Sequence, residues 1–430
     1  MQETQVHKEN INKKKIKLVS FLSFLLGIAG SSLIYILSEY FKETSGTENV
    51  GFFFFISYAM IFLALVYFHT IINKVGKARV FFMTQVIKIS MVVILSIIPS
   101  SYFSIGLLIV YIVSSNLTYV ELDSILESFS IDNMSGRIRG MYLAVSNLGY
   151  VIGPILSTQI LGKSGFANVF VMLVIVNSVI FIISLITLRN IKHDPSRISD
   201  VKSLLLKVFK NKNISSIYWI AIIFDFFYAL MIVYTPLYLL GQGLSWEKIG
   251  IIFTFMQLPF ILLQYPTGFL ADKKLGEKEL MIISLMIIGF STSWIYFVHS
   301  SSLLIWSIIM VSTRIGAAIL ETLRDSYFYK QIDGHDIDMI DFFRTSGSMG
   351  FMLATPVAFI ILLFFPMGYI FLFAGLIMFL GIIPAIMLKD NLCEAEINKG
   401  LLEPRSFAKE AICVIKNRLR LSRSRRIWRF

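Results

Sequence analysis

Cysteine is almost absent from this chain of 430 residues: only Cys393 and Cys413 occur, both near the C-terminal end. They exclude a disulfide framework and offer no metal-ligand spacing. The five histidines are scattered. His69, His299 and His335 stand in different regions, and no Ser-His-Asp, His-rich or paired-Asp pattern lies within an apolar segment, which argues against an enzyme and leaves no cofactor site. No Gly-x-x-x-x-Gly-Lys stretch is present, so direct drive by ATP has no support. Charge is scarce too, at 15% of residues.

In its place stands apolar sequence. Hydrophobic residues make up 56% of the chain, and mean hydropathy is +0.75, the composition of a polytopic membrane protein. A bilayer core takes about 20 apolar residues in a helix. Twelve runs qualify, near 17–40, 50–72, 79–99, 103–128, 138–161, 166–189, 214–240, 248–270, 279–298, 302–330, 338–365 and 367–388. They are too long and continuous for barrel strands, so an all-α fold of twelve transmembrane helices is expected. Lys13, Lys14, Lys15 and Lys17 lead into a run of full spanning length without a small-residue cleavage site, unlike a removable leader.

Lys and Arg in the connections set the orientation. Lys74, Lys77, Arg79, Arg137, Arg139, the stretch 189–212, Lys273, Lys274, Lys278 and the Arg-rich tail fall on one side. The other side holds little beyond Lys42, Lys163 and Lys248. Both termini are expected in the cytoplasm of a cell whose plasma membrane holds the protein. The segment 391–430 carries a stripe of Phe407, Ala411, Val414, Ile415 and Leu419 among arginines. Such a segment suits an anionic lipid surface or is simply a solvated basic tail; nucleic acid is not an expected partner.

The chain repeats itself. Leu122-Asp123-Ser124-Ile125-Leu126-Glu127 in the fourth run returns 198 residues later as Leu320-Glu321-Thr322-Leu323-Arg324-Asp325 in the tenth. Pro154 returns as Pro356, and Asn73…Gly76 as Asp272…Gly276, at nearly the same offset. Two six-helix halves in parallel repeat follow: residues 15–190 and 214–390, behind a short N-terminal segment 1–14. They are joined by a linker, 191–213, with a short amphipathic helix.

Between the eighth and ninth runs stands Gly268-Phe-Leu-Ala-Asp-Lys-Lys-Leu-Gly276. This hairpin resembles the Gly-x-Leu-Ala-Asp-Arg-x-Gly stretch of the major facilitator superfamily of transporters. It departs by one extra residue before Gly276 and by Glu277 where a base is usual. The resemblance covers about residues 15–390 and implies two six-helix lobes around a central cavity lined by the first and fourth helices of each. It also implies a small-molecule substrate and, as an expectation, a monomer.

Charges inside spans are costly and mark function or pairing. Asp225 in the seventh run and Arg314 in the tenth lie at similar depth. On the family fold they are expected to pair, as a substrate or proton site or as a permanent ion pair. Gln257, Tyr265 and Asn147 are neutral polar candidates beside them. Lys88 in the third run is expected to snorkel from a peripheral helix. Glu121, Asp123, Glu127, Arg137, Arg139, Asp272, Lys273, Glu321, Arg324, Asp325 and Arg344 are expected to form a cytoplasmic gate of breakable salt bridges, with proton coupling through Glu121 or Glu321 as the alternative. Gly149, Gly153, Pro154 and Pro356 are read as packing and kink positions. In the family, a Gly-x-x-x-Gly-Pro stretch such as 149–154 accompanies proton-driven export. The expected function is therefore alternating-access transport, favouring proton-coupled export of an amphipathic molecule. Uptake of a polar metabolite such as a sugar stays open, as does a receptor or partner subunit on a transporter fold.

Overall fold

A computed structural model gives the structure of the protein and describes residues 13–127, 135–188, 208–271, 276–332 and 337–389. The described residues are helical and contain no strand. The N-terminal half comprises α1 (Lys13–Ile34), α2 (Leu37–Ser45), α3 (Gly51–Val75), α4 (Lys77–Ile97), α5 (Tyr102–Glu127) and α6 (Ser135–Leu188). The C-terminal half comprises α7 (Lys212–Gly241), α8 (Trp246–Phe255), α9 (Leu258–Leu270), α10 (Glu277–Trp294), α11 (Leu303–Lys330), α12 (Ile337–Phe364), α13 (Gly368–Leu380) and α14 (Ile382–Met387).

Among the described residues, eleven segments are long and apolar enough to cross a membrane. One of them, Met141–Leu188, has 48 residues, roughly 70 Å of helix against about 30 Å of hydrocarbon. Gly165, at φ 76° and ψ 179°, breaks it. The chain turns back there. Tyr142 accepts a hydrogen bond from Ser23, Phe166 meets Tyr40, and Leu188 returns to the cluster that holds Ile16 and Val19. The segment is two crossings, which makes twelve.

The repeat is visible in the backbone. Gly76 and Gly276 both take positive φ, 95° and 73°, and open α4 and α10. The first and fifth crossings touch at Gly149, where a Cβ would stand 2.2 Å from the Phe24 carbonyl oxygen. The seventh and eleventh touch at Gly350, where a Cβ would stand 2.6 Å from the backbone of Asp225. The same crossing is thus built twice at the sequence offset of the two halves.

Two crossings are interrupted near mid-depth. The first breaks between α1 and α2 at Tyr35 and Ile36, and the eighth breaks between α8 and α9 at Met256 and Gln257, just before Pro259. The breaks face each other: Gln257 Nε2 donates to Tyr35 Oη at 2.7 Å. Interrupted helices at membrane depth are tolerated where they line a cavity or are buried in protein.

Candidate functional site

The halves meet at the end remote from Lys13 and Lys389. A Cβ on Gly51 would stand 2.8 Å from Tyr234 Oη, one on Gly162 2.3 Å from Glu247, and one on Gly250 1.8 Å from Thr158. Thr254 donates to the Val151 carbonyl at 3.2 Å. At mid-depth, Tyr58 stacks on Phe351 with centroids 3.7 Å apart. Below that layer a cavity of about 550 Å³ separates the halves.

Its walls carry Tyr35, Tyr58, Tyr119, Tyr142, Tyr150 and Tyr228 together with a small set of charges: Asp123, Asp225, Glu321, Arg324 and Arg344. Four of the five charges are paired. Arg344 Nη2 on α12 reaches Asp123 Oδ2 on α5 at 3.0 Å and ties the two halves together. Arg324 Nη1 lies 3.5 Å from Asp225 Oδ1, and its Nε lies 2.9 Å from Asp325. Its guanidinium sits 5.3 Å from the Phe224 ring and 5.6 Å from that of Phe343. Ser346 donates to the second Asp225 oxygen at 2.7 Å. Glu321, one helical turn before Arg324 on α11, makes no hydrogen bond or ion pair among the described residues.

The expected pairing of Asp225 with Arg314 is not formed. Arg314 is 1% exposed and lies behind Tyr228, with its guanidinium carbon 4.7 Å from that ring's centroid. It does not line the cavity. Its Nε and Nη1 have no hydrogen-bond partner among the described residues. Similar depth and the family's arrangement of the seventh and tenth helices pointed to that pair. The Tyr228 ring occupies the space between Arg314 and the cavity, while Arg324, three turns further along α11, reaches Asp225. Tyr265 also falls elsewhere. It is 81% exposed, because Gln257 at the break and Phe260 in α9 face the cavity.

Asn147 and Gln257 do line the cavity. Each donates its amide to the opposite half, Asn147 to Gln264 Oε1 at 3.3 Å and Gln257 to Tyr35. Glu321 and Arg324, read from sequence as gate residues, lie in the cavity wall, and Glu121 is buried outside it. Gly153 faces α1, where a Cβ would stand 1.9 Å from Ser31 Oγ, and Pro154 and Pro356 lie inside α6 and α12. Asp272 and Lys273 lie outside the described residues, and so do the side chains of Glu127, Arg137 and Arg139. Lys88 does not snorkel. It is 1% exposed, with its ammonium 5.6 Å from the Tyr111 centroid. Glu277, the departure from the family hairpin, is 1% exposed and pairs with Lys330 at 2.5 Å. The basic partner there stands on α11.

Sequence reading missed the tyrosine walls and Ser346. The tyrosines are scattered over many helices, and Ser346 looks like any small residue of a packed span.

Twelve crossings in two repeated halves around a charged central cavity define a polytopic membrane transporter. The Major Facilitator Superfamily model matches residues 19–332, and the chain belongs to that family. No curated protein matches it in sequence.

Proposed function

We propose that the protein is a secondary active transporter that exports a small amphipathic cation in exchange for protons by alternating access, at the cell membrane and with both termini in the cytoplasm. The observation that carries this reading is Glu321: a carboxylate in the wall of an aromatic cavity, without an ion-pair partner among the described residues while Asp123 and Asp225 have theirs. A carboxylate in a site of low dielectric takes either a proton or a cation, since an isolated charge there is costly. The tyrosine faces around it suit a cation with apolar substituents. Proton and substrate would then compete for one group, which is the requirement for exchange. Asp225, with Arg324 and Ser346, shapes the same pocket. Asp123–Arg344 is the salt bridge that would open and close the end toward the termini.

The Lys and Arg bias of the connections supports the orientation. Uptake of a polar metabolite is less well supported. The amides of Asn147 and Gln257 that favoured it in sequence each donate across the interface between the halves.

The test is proton release. Purified protein in weakly buffered detergent solution near neutral pH is mixed with a lipophilic cation. About one proton should appear per cation bound, and none from Glu321→Gln. Release from Glu321→Gln equal to that of the unaltered protein would contradict the assignment.

A further inference from the structure

A second space of about 110 Å³ lies within the N-terminal half. It adjoins the main cavity at Tyr58, Tyr119 and Tyr150, which line both. Its own walls are Leu33, Leu37, Phe54, Tyr111 and Ile112, and Gly30 and Ser115 leave the room. A Cβ on Gly30 would stand 2.6 Å from Tyr119 Oη, so the absent side chain lets that ring lie across the chamber.

The inner wall is fixed from behind. Asn177 Nδ2 donates to Tyr111 Oη at 3.3 Å, and the Lys88 ammonium lies 5.6 Å from the Tyr111 ring. Tyr111 is 1% exposed. A buried polar pair holding one aromatic ring against a void makes a preformed site, and such sites bind with little ordering cost. Tyr150 stands between this chamber and the central charge. It lines both spaces, and Glu321 lines the main cavity with it.

We infer that the chamber is a subsite for a single aromatic ring on the transported cation, whose charged end lies at Glu321. The inference rests on the cation reading above and adds a substrate class: a monocyclic arylalkyl ammonium compound. Size sets the limit. An apolar protein cavity of about 150 Å³ takes benzene; at about 110 Å³, and open to the main cavity at the shared tyrosines, this chamber takes at most one ring and excludes a fused second.

Three probes with the same head group test it: tetramethylammonium, benzyltrimethylammonium and 1-naphthylmethyl-trimethylammonium, measured by equilibrium binding to the full-length protein in detergent. The unaltered protein should bind the benzyl probe about tenfold more tightly than tetramethylammonium, and the naphthyl probe no better than tetramethylammonium. Ser115→Leu fills the chamber and should bring the benzyl-to-methyl ratio close to one while leaving tetramethylammonium affinity unchanged. Ile112→Ala enlarges it and should move the preference toward the naphthyl probe. Unchanged ratios in both variants, with tetramethylammonium still bound and lost in Glu321→Gln, overturn the chamber and spare the cation reading. Failure of all three probes to bind overturns the cation reading and the assigned ligand together.

Discussion

Of the carboxylates in the cavity wall, Asp225 has partners and Glu321 has none among the described residues, and the difference separates their roles. Asp225 is held by Arg324 and Ser346. Replacing it by Asn removes one partner of a mostly buried cation. A wholly orphaned buried charge costs about 3–5 kcal/mol, but Arg324 keeps Asp325, so Asp225→Asn should lower stability by about 1–3 kcal/mol. Glu321 has no such partner among the described residues to strand. Glu321→Gln should leave thermal unfolding in detergent unchanged or slightly raised while abolishing proton-coupled transport. Equal destabilisation by the two substitutions would place both carboxylates in the structural framework. Sequence reading reached Asp225, Arg324 and Glu321 because charged residues inside apolar runs are conspicuous. It did not reach their pairing. Arg314 and Arg324 lie on the same helix, ten residues apart, and the packing that puts one behind Tyr228 and the other beside Asp225 is not written in the residue types.

At the scale of elements, the helix crossings depend on glycine. Gly149 and Gly350 sit where a methyl group would meet the backbone of the neighbouring helix, at 2.2 Å and 2.6 Å. Overpacking of this kind costs about 1–3 kcal/mol. Gly149→Ala and Gly350→Ala should each lower the melting temperature measurably. Gly106→Ala, with nothing within 4 Å of its added Cβ, should be neutral or stabilising because alanine favours the helix. A loss at Gly106 equal to that at Gly350 would show that helix contacts are not what these glycines serve. Helix existence and repeat were legible in sequence, since apolar length and the recurrence of Pro154 as Pro356 are local signals. The breaks at Tyr35 and Gln257 were not, because each lies inside an apolar run; Pro259, which cannot donate to the carbonyl four residues before it, marks the second in hindsight, and no proline marks the first.

At the scale of the whole fold, the arrangement is closed at the end remote from Lys13 and Lys389 and crossed at the other by Asp123–Arg344. Asp123→Asn removes the attraction at that mouth and should favour the form open toward the termini. With Cys393 and Cys413 replaced, a cysteine at Ser348 in the cavity wall should be alkylated several times faster in the Asp123→Asn background. An unchanged rate would mean the bridge does not gate access. The account as a whole turns on exchange of a proton for a cation at Glu321. It is tested most directly by imposing a proton gradient, acid inside, on inverted vesicles holding the protein, and adding benzyltrimethylammonium. The account predicts collapse of the gradient with the unaltered protein and none with Glu321→Gln. Collapse that persists undiminished in Glu321→Gln, in vesicles shown to be intact, would contradict it.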